Sequence, residues 1–165
     1  MAVTTDILRS YRRPGAVMRR LLAAGQREDR AIAILMGACL LIFVAQWPRL
    51  QREATLNPDA PPLDAQLGAA LFAWLFIAPL LAYALAAVAH LVARALGGKT
   101  GTWYTARLGL FWTLLATTPL LLLHGLVAGF IGPGLEMTIV GALFMAAFFL
   151  IWGAALRESH WRASS

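Results

Sequence analysis

"LGLFWTLLATTPLLLLHGLVAGF" (residues 108–130) runs for 23 positions without a charged side chain. As a helix at 1.5 Å per residue it extends about 35 Å, enough to cross a hydrocarbon core of about 30 Å. Three more such runs flank it, at residues 31–47, 67–92 and 137–156. The first is the shortest, near the lower limit for a span, and Arg30 and Arg49 can snorkel from its ends. The 165-residue chain is 60% hydrophobic and 13% charged, with a mean hydropathy of +0.69. A soluble domain carries about a quarter charged residues, so the composition agrees with the runs. The expected fold is an all-α membrane protein of four transmembrane helices. A basic arm (residues 1–30) precedes the membrane domain (residues 31–156), and a tail (residues 157–165) follows it.

The net charge of +6 is read by position. Arg9, Arg12, Arg13, Arg19, Arg20, Arg27 and Arg30 precede the first span. Arg94, Lys99 and Arg107 lie between spans two and three, and Arg157 and Arg162 in the tail. Only Arg49 and Arg52 fall in the other set of loops, a ratio of twelve to two. Basic residues accumulate on the cytoplasmic side, so both termini are expected there. A cleaved signal peptide does not fit. The basic region is too long, no small-residue cleavage pattern ends the first run, and three spans follow.

Within the arm, Pro14 suits a first helical turn. Val17, Met18, Leu21, Leu22 and Gly25 recur at helical spacing, with Arg12, Arg13, Arg19 and Arg20 on the opposite face. An apolar stripe backed by arginines beside a span reads as an N-terminal amphipathic helix lying at the membrane interface. Each basic residue near anionic headgroups contributes about 1 kcal/mol. A lipid bilayer with anionic headgroups is therefore the expected partner. Nucleic acid is not, since no binding fold surrounds the arginines.

Inside the spans, Thr113, Thr117 and His124 share one face of the third, and polar groups at membrane depth often mark function. Pro119 frees the carbonyl of Leu115, however, and threonine hydroxyls can bond carbonyls of their own helix. A haem held by His90 and His124 is excluded by depth: in antiparallel spans they differ by about 20 Å. His160 falls in the tail. Glu136 sits where a helix dipole favours a carboxylate. Ala33 and Gly37, and Gly125 and Gly129, form small-xxx-small patterns suited to close packing within the bundle or against another chain. Cys39 is a lone thiol in the first span, placed for packing. No phosphate loop, zinc-spaced histidine pair or activated nucleophile is legible, so neither an enzyme nor a bound cofactor or metal is expected.

Two stretches, "RRPGAVMRRLL" (residues 12–22) and "GGKTGTWYTARLGLFWTLLATTPLLLL" (residues 97–123), taken together resemble the bacterial branch of the Yip-type (Ypt-interacting protein) membrane domain family. Pro14, Gly97, Gly98, Gly101 and Pro119 are the matching positions. The resemblance implies a polytopic helical domain in the bacterial inner membrane. Eukaryotic members bind small GTPases, but this chain has four expected spans rather than five and lacks their acidic "DLYGP"-like motif, so GTPase binding is not carried over. The expected function is non-enzymatic: scaffolding or modulating another integral membrane protein, or a second copy of itself. The alternative is a small oligomeric transporter or channel using the polar face of the third span.

Overall fold

The structure, a computed structural model, describes residues 3–161; the first two residues and residues 162–165, Arg162 and the end of the tail among them, lie outside the described residues. The described chain is helical throughout: α1 (Val3–Arg12), α2 (Pro14–Ala23), α3 (Glu28–Leu56), α4 (Leu63–Phe72), α5 (Ala78–Ala95), α6 (Trp103–Phe130) and α7 (Leu135–Trp161). A π turn, Ala73–Ile77, joins α4 to α5 in one continuous helix. α3, α4–α5, α6 and α7 are each long and apolar enough to cross a membrane. This is the architecture of a multi-pass membrane protein.

The central helix is α6. Half of its most apolar window is buried, against 11% for the windows of α4–α5 and α7. Leu108, Phe111 and Leu115 of α6 pack with Leu35, Ala38 and Cys39 of α3, Ala82 and Ala86 of α5, and Ile151 and Ala155 of α7. The alanines let backbones approach closely, which matters where lipid removes the hydrophobic drive for association.

Every span is longer than its uncharged run. α3 starts at Glu28, with Glu28 and Asp29 at the positive end of its dipole. It then passes through Pro48, beyond the expected end at residue 47. Proline removes one helical hydrogen bond and ordinarily breaks a helix interior. Here Pro48 is held against Gly129 of α6, where even a Cβ would lie 2.6 Å from the Pro48 carbonyl carbon. The loop expected from residue 48 to 66 accordingly shrinks to residues 57–62.

α6 begins five residues before its expected start because Thr102 and Thr105 form a capping box. The Thr105 amide donates to Thr102 Oγ1 (3.3 Å), and the Thr102 amide donates to Thr105 Oγ1 (2.9 Å). At the far end Arg52 donates to the carbonyls of Gly129 (3.3 Å) and Phe130 (3.5 Å), closing the last turn of α6.

The arm departs most from expectation. It is two helices, broken where Arg13 precedes Pro14. Val17, Met18 and Leu21 of α2 are buried in protein, joining the core formed by α6 and α7. Their apolar stripe is therefore not the face that meets lipid. The physical reason is that Leu108 and Gly109 of α6 with Ile151 and Ala155 of α7 supply an apolar wall at this end of the bundle. α1 crosses α6, with Trp112 Nε1 donating to Ser10 Oγ (2.9 Å) and Tyr11 donating to the Ala116 carbonyl (2.9 Å). An Asp6–Arg20 ion pair ties α1 to α2, and Arg19 Nη1 reaches Glu158 Oε1 of α7 at 2.7 Å.

Candidate functional sites

At the arm end, α7 continues through Trp161 and carries Glu158, Ser159 and His160 into buried positions. The expectation that His160 belongs to a tail is corrected here: it is wholly buried. His160 Nε2 lies 3.1 Å from His90 Nδ1 of α5, and Ser159 Oγ lies 2.8 Å from His160 Nδ1. Because Ser159 donates its proton to the Leu156 carbonyl (3.1 Å), its oxygen accepts from His160 Nδ1–H. His160 Nε2 is then an acceptor, and His90 Nδ1–H donates to it. This proton order is assigned from the network. Trp103 covers the His90 ring with centroids 4.4 Å apart.

The "GGKTG" loop wraps this pair. Gly97 turns the chain at φ +89°, in the left-handed region that glycine occupies at least cost. Gly98 leaves only 3.0 Å between a would-be Cβ and His160 Cβ, and Gly101 lies flat against the His160 ring with no room for a side chain. Thr100 donates its amide to the His160 carbonyl (3.3 Å) and its hydroxyl to the Ser159 carbonyl (3.2 Å). The loop thus satisfies carbonyls that a helix end leaves open. Both imidazoles spend a nitrogen on each other, and no group of three His, Cys, Asp or Glu suited to a metal occurs among the described residues.

Along α6 the polar face divides in two. Thr113 and Thr117 are fully buried and donate to the carbonyls of Gly109 (2.8 Å) and Thr113 (2.9 Å) in their own helix. Thr118 donates to the Leu115 carbonyl (2.8 Å), the group that Pro119 leaves without its amide. These hydroxyls are consumed. His124, one turn and a half further, is half-buried and lines a cavity of about 310 Å³ with Gln46, Arg49, Leu121 and Met137.

The small-residue pairs also separate. Gly125 lies so close to Ala45 of α3, and Gly129 to Pro48, that neither can carry a side chain without moving α3. That face is spent inside the chain, so it is not available to a partner. Ala33 is exposed, and a side chain added at Gly37 would meet nothing within 4 Å. Glu136 is exposed in the first turn of α7.

On the arm, the four arginines of the expected basic face take different roles. Arg19 and Arg20 are paired with Glu158 and Asp6, whereas Arg12 and Arg13 are exposed. Arg12 and Arg13 line an open groove of about 900 Å³ with Arg9, Leu8 and Tyr11. Burial pushes the Tyr11 phenol up from its ordinary value, keeping it a neutral donor to Ala116.

The sequence singles out His124 and the loop glycines as candidates but not Thr100, Trp103, Ser159 or His160. The Thr102-x-x-Thr105 spacing was the signal that would have started α6 early and brought Trp103 over His90. No family model matches the chain, and no curated protein or solved structure matches it.

Proposed function

We propose that the chain is a non-enzymatic, Yip-like protein of the bacterial inner membrane that works by contact with another integral membrane protein or a second copy of itself. The observation that carries this reading is the π turn Ala73–Ile77. It interrupts a span whose face is mostly unburied, and it stacks Phe72 on Phe76 at 5.3 Å, both exposed. A π turn costs regular helical bonding and recurs at functional places in helices. Pro79 follows within a turn, and proline and π turns are the places at which a helix bends. An aromatic knob on a deformable span suits a helix-on-helix contact, where close packing supplies the affinity.

Both termini and the "GGKTG" loop then face the cytoplasm, on the strength of the arginine and lysine asymmetry. Arg9, Arg12 and Arg13 rest against anionic headgroups of that leaflet. In the test, full-length protein is extracted gently from its own membranes, with and without F72A/F76A. A companion or second copy lost in the variant, while the monomer stays folded, supports the reading. A wild-type protein that is a lone monomer in mild detergent and native nanodiscs, yet moves a solute when reconstituted alone, replaces it with the transporter reading. His124 and its cavity are what favour that second reading.

A further inference from the structure

Two arginines stand against the charge asymmetry of this chain, Arg49 and Arg52, and only one has a structural duty. Arg52 caps α6 through the Gly129 and Phe130 carbonyls. Arg49 enters no ion pair among the described residues and instead lines the 310 Å³ cavity with Gln46 and His124. Three side chains able to donate hydrogen bonds thus converge on one space at the end of the bundle opposite the arm. Leu121, Ala128 and Met137 complete its wall with apolar surface.

Depth selects the occupant. α6 has 28 residues and is about 42 Å long, so when centred on a core of about 30 Å it projects about 6 Å at each end. His124 lies six residues before Phe130, about 9 Å from the helix end, hence about 3 Å inside the hydrocarbon boundary. Arg49 follows Pro48, which packs on Gly129 one residue from the end of α6, so it lies about 4.5 Å outside that boundary, at the level of the glycerol and phosphate groups of a phospholipid. Guanidinium is the side chain best suited to phosphate, by charge-assisted and bidentate hydrogen bonds. The amide of Gln46 and a ring N–H of His124 can donate to the remaining oxygens.

We propose that this cavity is a site for the headgroup phosphate of one anionic phospholipid in the leaflet opposite the arm, with Arg49 as its anchor. The apolar wall receives the first methylenes of the lipid. The site is separate from the arginine groove of the arm and does not depend on a protein partner.

The test uses full-length protein carrying R9Q/R12Q/R13Q, which silences the arm. It is titrated with dioleoylphosphatidylglycerol or dioleoylphosphatidylcholine in mixed micelles, reading the thermal midpoint and the lipid phosphate retained per protein. Phosphatidylglycerol is expected to raise the midpoint and be retained, and R49Q to weaken it about tenfold, the scale of one charged hydrogen bond. R49K should recover part of that loss. Equal effects of the two lipids, or phosphatidylglycerol bound as tightly by R49Q/H124Q, would overturn the proposal. Stabilisation by free glycerol phosphate in phosphatidylcholine micelles, without a preference for phosphatidylglycerol, would also overturn it in favour of a soluble anion. Should R49Q fail to fold, Q46L carries the same comparison, and an unchanged lipid preference there counts against the site.

Discussion

His90 and His160 stand 70 positions apart in sequence, yet their rings meet at 3.1 Å where α5, α7 and the glycine loop converge. Both residues are closed off from the surface, at 2% and 0% exposed. Each imidazole is therefore a polar partner of the other, Ser159 completes the His160 ring, and a buried group left without a partner costs about 1–3 kcal/mol.

Gly101→Ala is expected to destabilise the protein by about 1–3 kcal/mol, because the added methyl is driven into the His160 ring. Lys99→Ala, in the same loop but exposed, should stay within about 0.5 kcal/mol. Thermal midpoints of the two variants in one detergent decide this. Equal midpoints would mean the loop does not clasp the ring.

Gly129→Ile should abolish the folded monomer, since the site abuts Pro48, while Gly37→Ile should leave it intact. The yield of monodisperse protein separates them. A soundly folded Gly129→Ile protein would contradict the α3–α6 packing.

Arginines of the arm should sort by their partners. Arg19→Ala strands the buried Glu158 carboxylate and is expected to cost about 1 kcal/mol, modest because Arg19 is itself exposed. Adding Glu158→Gln should recover part of that loss in a double-mutant cycle. Arg12→Gln with Arg13→Gln should leave the melting temperature unchanged and lower binding to phosphatidylglycerol vesicles, relative to the wild type. Identical vesicle binding would remove the arm groove as a lipid contact.

Orientation is read with single cysteines at positions 58 and 99 in a Cys39→Ala background, both positions being exposed in the bundle. An impermeant thiol reagent applied to intact cells should label position 58 and spare position 99. The reverse pattern would invert the topology.

The four spans were legible because lipid demands long uncharged helices, and residues 108–130 could be little else. Their ends were not legible, because a charge stops a hydropathy run without stopping a helix: α3 passes Pro48 and Arg49, and α7 passes Arg157 and Glu158. The arm's periodicity disclosed an apolar face but not what covers it, since lipid and the α6–α7 wall ask for the same residues. Thr113 and Thr117 looked functional for a related reason. Spacing shows which face a hydroxyl occupies, and only coordinates show that it bonds its own helix.

The Arg19–Glu158 contact joins residues 139 positions apart. A ribosome adding 5–20 residues per second takes roughly 7–28 s to cover that separation. During that interval α2 has been made while its wall on α7 has not, and the apolar stripe of Val17, Met18 and Leu21 must be sheltered elsewhere. The bilayer surface beside the emerging first span is the nearest shelter, and the proposed contact of the arginines with headgroups would hold the helix there. On the lipid contact proposed for the arm, the amphipathic pattern would serve a way station in biogenesis: the newborn arm would rest on lipid until α7 is made, then pack against the bundle.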